Sequence, residues 1–160
     1  MQSLFSFPNP VNERSARLVA GGVVCMCLVV VVFSQMWVLL LLTYGFLARF
    51  ATGPTLSPLG QFVTRIAIPK LGWKPKYVPG PPKRFAQGIG AALSVAACIS
   101  WLAFDNSLFA KVFVAMILVA ATLESVFGYC LGCVIFSALM KLKIIPESVC
   151  EACVIPQGNR

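Results

Sequence analysis

The longest apolar stretch of the chain, residues 18–50, predicts two membrane helices rather than one. A single helix of this length would extend roughly 50 Å, which exceeds a bilayer core of about 30 Å. The adjacent polar residues Ser34 and Gln35 interrupt the stretch, and helices are predicted on either side of them, over 16–33 and 36–50. Because the connection is so short, the two helices should form a tight hairpin.

A second pair of helices is predicted in the other half of the chain. The third helix covers residues 85–104, and a polar turn at 105–107 separates it from a fourth helix that begins at Leu108. The predicted fold class is therefore an all-α membrane protein with four transmembrane helices in two hairpins. Its segments are an N-terminal region (1–15), a first hairpin (16–50), a basic loop (51–84), a second hairpin (85–140) and a tail (141–160).

A short amphipathic helix is predicted within the basic loop. Ser57 and Pro58 suit the N-cap and the first turn, and Pro69 would end the helix. Four apolar residues fall on one face at helical spacing: Leu59, Phe62, Val63 and Ile66. We expect this face to anchor the loop at the membrane interface, in preference to docking a partner, and an extended basic segment to follow at 79–82.

The composition supports a membrane protein. Apolar residues make up 59% of the 160 residues and charged residues 11%, whereas a soluble domain has roughly 25% charged residues. The chain contains no histidine, which excludes a Ser-His-Asp triad, a His-ligated haem and a mixed Cys/His zinc site within it. Any chemistry must therefore come from thiols, a few carboxylates and basic residues.

The positive residues predict the orientation in the membrane. Lysine and arginine flank the predicted spans in the N-terminal region, the basic loop and the tail, and on the opposite side only Lys111 occurs, one turn into the fourth helix. Both termini and the basic loop should therefore be cytoplasmic. We attribute the net charge of +8 to this orientation in the membrane and to contact with anionic lipid head groups of the bilayer. We do not attribute it to nucleic-acid binding.

The hexapeptide GYCLGC, residues 128–133, carries the candidate chemistry. In a continuous helix the Cβ atoms of Cys130 and Cys133 would be about 5 to 6 Å apart, beyond the roughly 3.8 Å of a relaxed disulfide. Redox-active pairs of this spacing usually lie at a helix N-terminus, whereas this pair follows a span. A redox role therefore requires Gly128 or Gly132 to break the helix, so that a new one begins near Val134.

Helix packing is an alternative explanation of the two glycines in this hexapeptide. Gly128 and Gly132 are four residues apart and could let another helix approach closely. The third helix has small residues at the same spacing, in two rows: Gly90, Ser94 and Cys98, and Gly88, Ala92 and Ala96. Direct packing of the third and fourth helices is therefore expected, although packing alone does not explain the two cysteines.

A structural zinc site is a second alternative for the cysteines. Cys150 and Cys153 in the tail repeat the Cys-x-x-Cys spacing, and with Cys130 and Cys133 they could supply four thiolate ligands. In a reducing cytosol such thiols are more often metal ligands or redox groups than permanent disulfides. The other cysteines are expected to be core residues: Cys25, Cys27 and Cys98.

Glu124 is the only carboxylate within a predicted span. Ionisable groups inside membranes generally face a partner or a water-filled cavity. Arg49 and Arg84 at the cytoplasmic ends of the second and third helices are the expected ionic partners, and Gln87 could form a hydrogen bond instead. Glu124 is thus either half of a structural ion pair or a proton-handling group beside the cysteines.

Three segments of the chain together resemble a known family. They are SPLGQFVTRIAIPKLG in the basic loop, PPKRFAQGIGAA at the start of the third helix and FGYCLGC after the fourth span. In this order they are similar to the bacterial membrane family catalogued as domain of unknown function 4395, over residues 9–140. The resemblance implies a four-span integral protein of the bacterial cytoplasmic membrane. It implies no activity, because none is established for that family.

Three classes of function remain open from the sequence. The first is a membrane thiol-redox or sulfur-handling protein, with Cys130, Cys133 and Glu124 as catalytic residues and a thiol-redox protein as partner. The second is a non-catalytic membrane scaffold. The third is a small transporter or a metal-binding protein. Four spans leave little room for a transport path unless the chain forms a homo-oligomer. The sequence does not decide whether the protein is an enzyme.

Overall fold

The protein is mostly helical. The computed structural model describes residues 9–150, apart from the side chains of Glu147 and Cys150. The α-helices are α1 (Glu13–Phe33), α2 (Met36–Thr52), α3 (Pro58–Phe62), α4 (Ile68–Leu71), α5 (Gly80–Leu102), α6 (Ser107–Thr122) and α7 (Leu131–Lys141). Two π-helices, π1 (Val63–Ala67) and π2 (Leu123–Phe127), and a 3₁₀ helix (Glu147–Cys150) complete the helical elements. Two short strands, β1 (Val11–Asn12) and β2 (Tyr77–Val78), pair in antiparallel fashion.

Three helical segments of the described chain are long and apolar enough to cross a membrane. They are Glu13–Phe33, Gly80–Leu102 and Ser107–Phe127, whereas α2 is shorter, with 17 residues. Large apolar side chains such as those of Val32, Leu108 and Val119 are exposed on the outer faces of these helices. Such surfaces are stable against lipid rather than water, so the fold is that of a multi-pass membrane protein.

The third predicted helix begins earlier than the sequence indicated. Residues Gly80, Pro81 and Pro82 form its first turn, so the prediction of an extended basic segment at 79–82 was wrong. Proline fits a first turn because the backbone amides there have no partner within the helix. As a consequence Lys83 is a helical residue, and only 7% of it is exposed.

The long helices pack around α5. It contacts α2, α6 and α7, while α1 contacts α2 and α6, and the core between them includes Leu39, Leu42 and Val114. Direct packing of the third and fourth predicted helices is therefore confirmed.

The row formed by Gly90, Ser94 and Cys98 in α5 also contacts α2. Thr43 Oγ1 of α2 lies 3.2 Å from Cys98 Sγ and donates to the Ser94 carbonyl oxygen at 3.4 Å. A Cβ atom at Gly90 would come within 2.3 Å of the Phe46 ring. The glycine thus makes room for a phenylalanine of α2, a contact that the sequence did not predict.

The basic loop contains the predicted helical segment, with a different end. Ser57 is its N-cap, as expected, and its hydroxyl accepts a hydrogen bond from the Gly60 amide at 3.3 Å. Pro69 does not end the segment, which continues to Leu71 and stops at Gly72 in the left-handed conformation (φ 60°). The wider turn of π1 precedes Pro69 and relieves the clash that a proline ring makes in a regular helix.

Candidate functional site

The fourth predicted helix is broken at Gly128. This residue has a φ of 69° and ends π2, with its amide donating to the Glu124 carbonyl oxygen at 3.0 Å. Glycine adopts this left-handed conformation without the steric cost that a side chain would impose. A redox role of the two cysteines required a break at Gly128 or Gly132, and the helix ends at Gly128.

Arg17 of α1 stabilises the broken end. Its guanidinium donates to the carbonyl oxygen of Ser125 at 3.2 Å and to that of Val126 at 2.7 Å. The last carbonyl groups of a helix have no partner within it, and a cationic donor satisfies both their hydrogen bonding and the negative end of the helix dipole. A contact between the first and the last spans thus fixes the chain just before the cysteines.

Cys130 is the N-cap of the new helix α7. Its backbone is extended (φ −91°, ψ 105°), and its Sγ atom accepts a hydrogen bond from the Cys133 amide at 3.4 Å. The new helix begins at Leu131 rather than near Val134. The geometric objection to a linked pair in a continuous helix no longer applies, because Cys130 is not helical.

The two glycines of the hexapeptide have different roles. Gly132 lies against α5, and a Cβ atom there would come 2.4 Å from Ala86 Cβ and 2.5 Å from Ala86 Cα. Only glycine permits this approach of the first turn of α7. Since Gly128 is the break and Gly132 the contact, the prediction that both lie on one packing face of a single helix was wrong.

Glu124 forms an ion pair with Lys83. The Lys83 Nζ atom contacts Glu124 Oε1, and the two side chains are only 9% and 15% exposed. The expected partners are occupied elsewhere: Arg49 Nε donates to Gln87 Oε1 at 3.0 Å, and Arg84 Nε donates to a backbone carbonyl oxygen. Sequence reasoning misses Lys83 because the prolines before it are also typical of a loop. The signal that could have found it is the compatibility of those prolines with a first helical turn.

The two cysteines differ electrostatically. The hydrogen bond from the Cys133 thiol lowers the pKa of the Cys130 thiol below its ordinary value, and the same bond raises the pKa of Cys133. Lys83 also favours the Cys130 thiolate, whereas Glu124 opposes it. Of the two thiols, Cys130 is therefore the one that ionises first.

Cys130 lines two cavities. The first is an open cleft of about 560 Å³, which is also lined by Cys133, Lys83, Tyr129 and Lys141. The second has a volume of about 240 Å³, and Glu124 also lines it. The thiols and the ion pair thus meet at one end of the helix bundle, and the cleft gives access to them.

The remaining cysteine predictions have mixed outcomes. Cys27 and Cys98 are buried, as expected for core residues, but Cys25 is exposed on α1. Cys153 and the side chain of Cys150 lie outside the described residues, so the four-cysteine zinc site is not tested. Within residues 9–150 no three His, Cys, Asp or Glu side chains lie together in a way that could hold a metal ion.

Comparison with known proteins matches the chain to a protein family. A family model described as domain of unknown function (DUF4395) matches residues 11–141. No curated protein and no solved structure matches the chain. The matched region contains Lys83, Glu124, Cys130 and Cys133, and it ends before Cys150.

Proposed function

This chain belongs to the family of domain of unknown function DUF4395, and we propose that it is an integral membrane thiol-redox protein whose reacting group is the Cys130/Cys133 pair. The observation that carries the proposal is the position of Cys130 as N-cap of α7, with the Cys133 amide directed at its sulfur. Backbone amides and the positive end of a helix stabilise a thiolate. Redox-active dithiols commonly have this arrangement.

The proposed reaction is thiol–disulfide exchange with a protein disulfide. The Cys130 thiolate attacks one sulfur of the partner disulfide, which breaks that bond, forms a mixed disulfide and releases the first partner thiolate. Cys133 then loses its proton and attacks Cys130 Sγ, which closes the internal disulfide and releases the second partner thiolate. Both partner thiolates take up protons, so two electrons and two protons pass from the dithiol to the partner. The reverse sequence reduces the protein again.

The Lys83–Glu124 pair would serve this reaction through charge. Lys83 stabilises the Cys130 thiolate and lines the same cleft. Glu124 is the candidate acceptor for the proton that Cys133 must lose, because it is the carboxylate that acts on both thiols. The ion pair therefore supplies one group, Lys83, for the attacking sulfur of Cys130 and one group, Glu124, for the resolving sulfur of Cys133.

The proposed topology has four spans in two hairpins, with both termini in the cytoplasm of a bacterial cell. It requires α2 to cross as well, and its 17 residues extend about 25 Å, at the short end of the range for spanning helices. Support comes from the short connection at 34–35 and from the cations at one end of the bundle, including Arg17, Lys83 and Lys141. The α3 to α4 segment would then lie at the cytoplasmic lipid surface.

Thiol trapping in membranes tests the proposed function. Membranes are treated with a mild oxidant or reductant, free thiols are alkylated, and peptide mass spectrometry measures the fraction of Cys130 linked to Cys133. We expect a reversible link that Cys25→Ser, as a matched control on an exposed cysteine of α1, leaves unchanged. A truncation before Cys150 should also retain it, whereas a four-thiolate zinc site would lose its metal in that variant.

A dithiol that stays reduced under every oxidising condition would refute the redox proposal. The cysteines would then be packing residues, and the protein would be a non-catalytic membrane scaffold. A protein that holds about one zinc per chain and loses it when either cysteine pair is changed to serine would instead be metal-binding.

A further inference from the structure

Arg49, near the end of α2, is a buried cation with an incomplete set of hydrogen bonds. The residue is only 5% exposed. Its Nε atom donates to Gln87 Oε1 at 3.0 Å and its Nη1 atom donates to Ser57 Oγ at 3.1 Å. Nη2 is buried and has no partner among the described residues. Buried polar groups are nearly always paired, and an unpaired charged donor is especially costly.

The charge of Arg49 is not neutralised by a contacting carboxylate within the described chain. Glu124 is bound to Lys83, and Glu13 is bound to Lys76 at 2.7 Å. The Phe46 ring lies 4.8 Å from the guanidinium carbon and offers only a partial, uncharged compensation. Because the Lys83–Glu124 pair is neutral as a whole, one net positive charge remains at this end of the bundle core.

A cavity of about 250 Å³ adjoins Arg49. It lies between the start of α1, the end of α2, the α3 segment and the first turns of α5. Its polar lining includes Arg49, Lys83, Gln87, Asn12, Ser15 and Thr64, and no carboxylate of the described residues lines it. Cationic and neutral polar groups without a carboxylate are the donor set expected of an anion site, since a guanidinium binds carboxylates and other oxyanions strongly.

We propose that this cavity binds a small oxyanion with one negative charge, and that the Arg49 guanidinium supplies the matching positive charge. One charge suffices because Lys83 is already compensated by Glu124. The volume exceeds the share of about 30 Å³ that one water molecule occupies, so the site accommodates an anion of several atoms rather than a halide alone. The inference does not depend on the thiol chemistry, because the site uses neither cysteine.

Ligand-dependent stability tests the proposal. The purified full chain in detergent is heated in increasing sodium acetate or sodium nitrate, with sodium chloride at equal ionic strength as the reference. A ligand that binds only the folded state raises Tm in a saturable manner. We expect both oxyanions to give a saturable rise that chloride does not give, and isothermal titration calorimetry on the unmodified protein to show about one site per chain.

Variants locate the site. Arg49→Met should abolish the rise with acetate and nitrate. Arg84→Met is the matched control, because Arg84 also lies beside an aromatic ring, that of Phe50, but does not line the cavity. It should keep the full rise, as should the protein with both Cys130 and Cys133 changed to serine.

Four results with the oxyanions, Arg49→Met and Arg84→Met would overturn the inference, and a fifth concerns the cysteines. They are an equal effect of chloride and the oxyanions, no binding of either oxyanion in calorimetry, an unchanged rise in Arg49→Met, and loss of the rise in Arg84→Met. The calorimetric result on the unmodified protein decides the question even if Arg49→Met does not fold. Loss of the rise in Tm in the protein without the two cysteines would also refute the site. This result is separate from a failure of reversible oxidation at those cysteines, which would refute the proposed function instead.

Discussion

Removing the charge of Glu124 should destabilise the fold strongly. Glu124→Gln leaves Lys83 as an uncompensated cation with only 9% of its side chain exposed. Breaking a buried ion pair by removal of one partner costs about 3 to 5 kcal/mol, because the remaining charge keeps its desolvation penalty without its counter-charge. Because both side chains are mostly buried, solvent screening should not reduce this free-energy cost.

The double variant Lys83→Met with Glu124→Gln should recover most of that loss. Replacing a buried ion pair by neutral residues of similar volume is often neutral or stabilising. A double-mutant cycle on the two positions should therefore give a coupling energy of at least about 2 kcal/mol, well above the range of exposed pairs. The free energy of unfolding is measured in detergent, with Tm as a second measure.

Arg84→Met combined with Glu124→Gln is the matched control, since Arg84 is a neighbouring cation that does not contact Glu124. This control variant should recover none of the stability that Glu124→Gln loses. The reasoning fails if the Lys83 and Glu124 changes are additive, or if neutralising Arg84 restores stability as well as neutralising Lys83 does. Oxidation of the cysteines is compared between the double variant and Lys83→Met alone, because both lack the Lys83 charge. Equal rates indicate a purely structural role of Glu124, whereas slower disulfide closure in the double variant indicates proton transfer.

Three further predictions concern the contact at Gly132, the topology and the thiols. Gly132→Ala should destabilise by about 1 to 3 kcal/mol in thermal unfolding, because the clash with the α5 backbone outweighs the better helix propensity of alanine. Gly72→Ala, which has open space, should cost only about 1 kcal/mol for its left-handed backbone, and equal losses would contradict the contact. Reporter fusions after Ser34 and at the C-terminus should lie on opposite sides of the membrane, and equal sidedness would remove the two-hairpin topology. Cys133→Ala removes the bond that lowers the Cys130 pKa, so the pH profile of Cys130 alkylation should move to higher pH. An unchanged profile would show that the bond does not set the ionisation of Cys130.

The sequence predicts the helices well and the site poorly, for physical reasons. Apolar run length and the polar interruption at 34–35 locate the four long helices, since the cost of burying polar groups dominates there. The sequence leaves open whether Gly128 or Gly132 breaks the helix, because membrane helices tolerate glycine, and only the left-handed backbone at Gly128 reveals the end. Lys83 was assigned to the loop because proline usually ends a helix, although it also begins one. The ion pair of Glu124 was missed for the same reason.

The bond between Arg17 and the carbonyl groups at 125 and 126 has a consequence for biosynthesis. It joins positions separated by 108 and 109 residues of sequence, at the two ends of the folded domain. During translation the guanidinium of the first span has no acceptor until the last span has left the ribosome and entered the bilayer. Cys130 and Cys133 can therefore take up their arrangement only at the end of membrane insertion. A full-length chain in which this bond has not yet formed would expose ordinary thiols rather than a preorganised pair.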